Sequence, residues 1–233
     1  MTGVRRPDVW DGAWDVFCDF DGTISEKDMI GQIVKRFVPE EGLVLVDRVN
    51  RHELTVQEGV ERMFGLIPSA RFDEVKSFAI SHVRLRQGFP AFVRLCRRRD
   101  WRLTVVSGGF DFFVEPALAP FRDEIDIVCN HIDDRGPTLK VVWSTPCDAA
   151  CEGGCGLCKP AVLRQRRRPG ARQMLIGDGV TDAKAARIAD FVFARDRLRG
   201  ECDRMGIPYE AFETFDDIVA RLEGAPGEPE VAR

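Results

Sequence analysis

The sequence predicts an α/β fold, a doubly wound parallel sheet with an inserted helical cap. Three observations predict it. From Pro90 onward, short apolar runs alternate with helical patterns, as in successive βαβ units. Three of these apolar runs, counting the first near the N-terminus, end in Asp19-Phe20-Asp21, Ser107-Gly108-Gly109 and Gly177-Asp178-Gly179. Between the first run and Pro90, residues 25 to 85 carry apolar side chains at helical spacing and never alternate like a strand.

The elements follow in order. Val16-Phe17-Cys18 is a buried strand. The stretches DMIGQIVKRFV, VQEGVERMFGLI and FDEVKSFAISHV read as helices, punctuated by Pro39 and Pro68. PAFVRLCRRRD is a helix, WRLTVVSGG a buried strand, FDFFVEPALAPF a helix and EIDIVCN a strand, while TLKVVW suits a small β-ribbon. PAVLRQRRR is a helix, ARQMLIGDG a strand, TDAKAARIA a helix, DFVFA a short strand and RDRLRGECDRMG a helix. The expected organisation is a core of residues 1–24 and 86–223, a cap of 25–85, and a tail of 224–233 whose Gly, Pro and Glu content predicts disorder.

The chain has 233 residues, 44% of them hydrophobic and 31% charged, with a net charge of −4, so no overall basic surface points to nucleic acid. The runs Arg97-Arg98-Arg99 and Arg166-Arg167-Arg168 read as solvated helix ends. No stretch reaches the roughly 18 apolar residues of a membrane helix, and no apolar segment follows Arg5-Arg6 as in a signal peptide. The expectation is a cytoplasmic enzyme, and the 8 cysteines are therefore read first as thiols or metal ligands.

Ligands of open parallel sheets sit at the carboxyl ends of the strands. Asp19, Asp21, Asp178 and Asp182 converge there, and their repulsion calls for a divalent cation with oxygen ligands, Mg²⁺. The Ser107 hydroxyl and the Lys159 ammonium supply what a phosphate group needs beside it. Taken singly, each residue also has an ordinary structural reading: turn, helix cap or solvated lysine.

Asp-x-Asp-Gly-Thr after a strand, then Ser107, Lys159 and Gly-Asp-x-x-x-Asp, in that order, resemble the haloacid dehalogenase superfamily of phosphatases. The helical stretch after the first motif resembles the cap of its phosphoserine phosphatase-like branch. That resemblance implies Asp19 as the nucleophile that forms an aspartyl-phosphate. It implies Asp21 as the acid that protonates the leaving oxygen and then activates water. Mg²⁺ would be held by Asp19, the Asp21 backbone carbonyl and Asp178, with Asp182 in support. Ser107, Gly108 and Lys159 would bind the phosphoryl group, and Asp28 would face the substrate at the cap entrance; Arg62 is a further candidate contact from the cap, with a solvated helix arginine the favoured reading.

Longer stretches, among them VVSGGFDFFVEPAL, CNH, CGLCKP and IGDGVTDAKAARIADFVFARDRL, resemble the 2-hydroxy-3-keto-5-methylthiopentenyl-1-phosphate phosphatases of methionine salvage. The implied partner is a small phosphate ester with an apolar tail. Met63, Phe64, Phe110 and Phe113 are candidates to meet that tail, with core packing the favoured reading. Phosphoserine or another small phosphate is the alternative substrate. A phosphatase scaffold without activity, acting in binding or redox chemistry, is the rival class, and the filled catalytic positions speak against it. The sequence does not specify an oligomeric state.

Cys147, Cys151, Cys155 and Cys158 fall within twelve residues just ahead of Lys159. Their spacing leaves three readings open: a Zn²⁺ or similar metal site, disulfides, or free thiols shaping a glycine-rich loop. Cys18, Cys96, Cys129 and Cys202 read as small core residues, and His131 as a hydrogen-bonded structural side chain.

Overall fold

Strand β1, Trp14–Cys18, is buried along its whole length, as a central strand covered on both faces must be. The computed structural model describes residues 10–151 and 153–224. Among these described residues seven strands form one sheet: β1, β2 (Arg102–Phe110), β3 (Asp126–Asp133), β4 (Lys140–Val142), β5 (Arg172–Gly177), β6 (Phe191–Ala194) and β7 (Glu210–Ala211), in the order β4-β3-β2-β1-β5-β6-β7. All pairings are parallel except β3 with β4, so the expected ribbon forms one antiparallel edge of the sheet.

The chain winds outward from β1 in one direction through β2 and β3, then returns to β1's other side for β5. This makes the carboxyl end of β1 the switch point, where open sheets form clefts. Alternate residues serve opposite faces. Val16, Cys18, Met174 and Ile176 belong to one apolar cluster, and Phe17 and Leu175 to the other.

Four helices fill the stretch between β1 and the second strand's approach: α1 (Met29–Phe37), α2 (Pro39–Asn50), α3 (Val56–Gly65) and α4 (Phe72–His82). Their starts carry ordinary signals. Asp28 caps α1 by accepting from the Gly31 N–H at 3.2 Å, Pro39 opens α2, and Thr55 and Glu58 form a capping box at α3. The remaining helices are α5 (Phe89–Arg98), α6 (Asp111–Leu118), α7 (Lys159–Arg166), α8 (Val180–Ala186), α9 (Asp196–Met205) and α10 (Phe215–Leu222).

The ends of residues 25–85 meet in a stitched pair of segments beside β1. Ser25 pairs with Leu85, the Glu26 N–H donates to Arg84 O at 2.9 Å, and the Arg86 N–H donates to Ile24 O at 2.7 Å. The Arg86 guanidinium donates to the carbonyls of Thr23 and Gly22 at 2.7 Å each, and of Ser25 at 3.4 Å.

Several expectations are refined. Ser107-Gly108-Gly109 lies within β2, which continues to Phe110 with a register shift after Val106, rather than ending in a plain turn. Strand β7 and helix α10 were not foreseen. The expected disordered tail lies outside the described residues from 225 onward. Met63, Phe64, Phe110 and Phe113 are all buried in one cluster, Phe64 against Phe110 with ring centroids 4.6 Å apart, in keeping with core packing. The arginine runs do sit at helix ends, but Arg168 also donates to buried Asp15 at 2.6 Å. No helix among the described residues is long and apolar enough to cross a membrane.

Candidate active site

Parallel pairing with β2 and β5 brings the carboxyl ends of three strands side by side. Asp19 directly follows β1, and its N–H donates to Ile176 O of β5 at 2.9 Å. Asp178 directly follows β5. Lys159, the first residue of α7, turns into this group and is 3% exposed. Its Nζ donates to Asp19 Oδ1 at 2.6 Å and to Asp182 Oδ1 at 2.5 Å. A lysine with no solvent around it and two carboxylates within reach is not the solvated side chain of its ordinary reading.

The charges do not balance. Three carboxylates, Asp19, Asp178 and Asp182, have oxygens within 4.8 Å of one another, and against the one ammonium they leave two negative charges. Burial pushes the Asp19 carboxyl up to about 6; Lys159 opposes that shift and Asp178 adds to it. Burial and the Asp182 charge put Asp178 at about 6, and burial does the same to Asp182 against the pull of Lys159. Burial alone would lower the Lys159 ammonium, but Asp182 and Asp19 outweigh it and hold it well above its usual value. An all-oxygen donor set with surplus negative charge fits a hard divalent cation such as Mg²⁺.

Asp21 is built differently. Its Oδ1 accepts from the Met29 N–H at 3.0 Å, the first backbone donor of α1, while Oδ2 is buried with no hydrogen-bond partner among the described residues. Burial, and then the charge of Asp28, hold its carboxyl well above the usual carboxylate range. Asp28 itself is exposed at the N-terminus of α1.

Close packing explains the glycines. Gly22 has φ +81°, and a Cβ there would stand 2.3 Å from Asp178 Oδ2. A Cβ on Gly109 would stand 2.5 Å from Asp21 Oδ2. Gly22→Ala is therefore expected to displace Asp178 and strain the turn, lowering kcat/KM by about 100-fold. Steady-state kinetics beside a thermal melt would check this: a fold that survives and an activity that does not.

Ser107 is fully buried, and its Oγ accepts from the Gly109 N–H at 2.9 Å. Gly108 has open space beside it. Asp182 is the hub of the last motif, accepting from the N–H groups of Asp178 at 3.3 Å and Gly179 at 3.1 Å as well as from Lys159. Arg62, by contrast, is exposed on α3, where its charge helps to hold the Glu58 carboxyl low after the larger effect of Thr55.

Two residues at the site escaped the sequence reading. The Thr23 hydroxyl donates to Asp178 Oδ1 at 2.9 Å and lies 3.3 Å from Asp19 Oδ2, bridging two motifs. Asn130 is fully buried; its amide donates to Gly108 O at 2.9 Å, fixing that peptide. Thr23 stood in the quoted DGT and Asn130 in the quoted CNH, so both had a signal. His131 pairs with Asp111 at 2.8 Å and plays the structural part expected of it.

Residues 16–187 match the profile of the haloacid dehalogenase-like hydrolases. The chain belongs to this family. A 2-hydroxy-3-keto-5-methylthiopentenyl-1-phosphate phosphatase of Geobacillus thermodenitrificans (strain NG80-2) is 44% identical over 208 residues, covering 89% of this chain and 94% of that one. The protein of the same name from Exiguobacterium sp. (strain ATCC BAA-1283 / AT1b) is 43% identical over 209 residues, covering 90% and 97%. Among solved structures, a phosphoserine phosphatase carrying a phospho-aspartyl intermediate analogue aligns with TM-score 0.65 and 17% identity, over 88% of this chain and 97% of that one. A substrate-bound phosphoserine phosphatase aligns with TM-score 0.66 and 17% identity, over 90% and 97%. These two share the fold. This haloacid dehalogenase-like hydrolase is a phosphatase.

Proposed function

We propose that the enzyme is a Mg²⁺-dependent phosphomonoesterase that works through an aspartyl-phosphate, with 2-hydroxy-3-keto-5-methylthiopentenyl-1-phosphate as its substrate and helices α1–α4 as a cap. The observation that carries the mechanism is the carboxylate of Asp19, held at a strand end 2.6 Å from buried Lys159. Ionised at neutral pH and fixed in orientation, Asp19 attacks phosphorus, and the bond to the ester oxygen breaks. Asp21, whose carboxyl is raised and has one oxygen unpartnered among the described residues, donates its proton to the departing oxygen. It then takes a proton from the water that cleaves the aspartyl-phosphate.

Asp19, Asp178 and the Asp21 backbone carbonyl would hold Mg²⁺, which neutralises charge on the phosphoryl oxygens when bound. Lys159 and the Ser107–Gly108 segment contribute the remaining donors, Asp182 orients Lys159, and Asn130 orients Gly108. The phospho-aspartyl analogue carried by a phosphatase of the same fold supports this route.

The substrate reading rests on the relatives that bear that name at 43 and 44% identity over nearly the whole chain. The likeness to phosphoserine phosphatases concerns the fold. The test is phosphate release from the methylthiopentenyl enol phosphate beside phosphoserine and several sugar phosphates, with Mg²⁺ and with chelator. Expected is a strong preference for the enol phosphate that disappears on chelation and returns with Mg²⁺. Metal-dependent hydrolysis favouring phosphoserine or a sugar phosphate would overturn the substrate and keep the mechanism.

A further inference from the structure

The four-cysteine loop takes no part in the chemistry above, yet its sulfurs are gathered. Cys147, Cys151, Cys155 and Cys158 place all four Sγ atoms within 4.8 Å of one another. The Cys151 and Cys155 sulfurs are 3.7 Å apart. A disulfide would hold them at about 2 Å. A tetrahedral ion with Zn–S bonds of about 2.3 Å spaces its thiolates about 3.8 Å apart. A group this tight encloses one ion, with no room for a cluster of several irons.

The loop is shaped for that convergence. Gly153, Gly154 and Gly156 have φ of +91°, +73° and +71°, turns that draw successive cysteines inward. Cationic help stands beside the sulfurs, since Lys184 Nζ lies 3.6 Å from Cys155 Sγ and donates to Gly153 O at 3.2 Å. Burial would raise the Cys151 thiol, but the Gly153 N–H and the three neighbouring cysteines bring it down to about 7. Cys155 and Cys158 stand at about 12 and 11, through burial and the company of Cys151.

We propose that Cys147, Cys151, Cys155 and Cys158 bind one zinc ion as a four-thiolate tetrahedral site, separate from the carboxylate site. Binding releases the thiol protons to solvent and changes no oxidation state. Soft thiolates select zinc over Mg²⁺, just as the hard carboxylates select the reverse. The ion would fasten two elements that matter. Cys158 immediately precedes Lys159 and α7, and Gly154 O accepts from the Gln57 N–H of α3 at 3.2 Å. A zinc ion here is thus a staple between the helix that carries Lys159 and the helices between β1 and α5.

The full chain, expressed in zinc-supplemented medium and passed through a chelator that strips Mg²⁺, should retain one zinc by elemental analysis. Cys151→Ser with Cys155→Ser should lose it, and Asp178→Asn should keep it. Should the double variant fail to fold, the wild-type chain refolded with Co²⁺ decides. The intense visible bands and sulfur-to-cobalt charge transfer of a tetrahedral thiolate site support the proposal. A wild-type chain that holds no zinc and shows no such bands overturns it, as do a disulfide among the four found by mass spectrometry and zinc retained undiminished by a folded double variant.

Discussion

Asp19→Asn is expected to lower turnover by about four orders of magnitude or more, since removing a covalent nucleophile leaves only the binding contribution of the remaining site. The same variant should fold. Asp19 shares Lys159 with Asp182, so an amide at position 19 leaves the ammonium paired at 2.5 Å. It also removes one of the three carboxylates whose charges crowd one another. Rapid-quench or steady-state assays on any accepted phosphate ester, beside a thermal melt, would read both halves. A folded Asp19→Asn that kept even a hundredth of the activity would exclude an aspartyl-phosphate at this position.

Lys159→Met should be damaging in a second way. The lysine is fully enclosed between Asp19 and Asp182, and its removal strands two buried carboxylates. Breaking such a pair costs about 3–5 kcal/mol, which for a chain of this size is roughly a 10 °C fall in Tm. The sign of the pH effect follows. Asp19 and Asp182 are already pushed up to about 6 with the lysine present, and without it they rise further. The variant's deficit should therefore be largest at pH 8 and shrink as pH falls toward 6, where the stranded groups take up protons before those of the wild type do. Added Mg²⁺ should restore part of the stability at pH 8, because a cation can replace the missing charge. Melts of wild type and variant at three pH values would check it. A deficit independent of pH would mean that Lys159 contributes packing rather than charge. Activity should be lost throughout.

Much of this was legible in the sequence because the chemistry is local to strand ends. Asp19, Asp21 and Asp178 sit directly after or near apolar strands, and parallel pairing brings such positions together whatever the loops do. Lys159 was legible only through the order of the motifs. Nothing in Cys158-Lys159-Pro160 says that the side chain will be buried, since that depends on carboxylates 140 and 23 residues away. Arg86 carried no signal, being one arginine whose carbonyl partners lie more than sixty positions away along the chain. Helix α10 did carry one. Thr214 and Asp217 form a capping box ahead of an apolar face made by Phe215, Ile218 and Leu222. Arg62 lies exposed on α3; helical spacing gives a residue's place around the helix, and packing decides which face meets the core.

The stitched entry and exit of residues 25–85 fix where any replacement for that segment would have to be joined. At its two ends the segment is held by a short bridge and by an arginine reading three carbonyls; between them Phe64 packs on Phe110 of β2, and Pro68 bridges Thr138 ahead of β4. A cassette taken from another member of the family and joined at these points would have to restore those contacts with the sheet as well. It would meet one strict requirement at its start. Asp21 takes its only hydrogen bond among the described residues from the Met29 N–H, so the incoming segment must open with a helix in this register. On the proposed mechanism, the acid–base residue is thus tied to the first turn of whatever helix opens this segment.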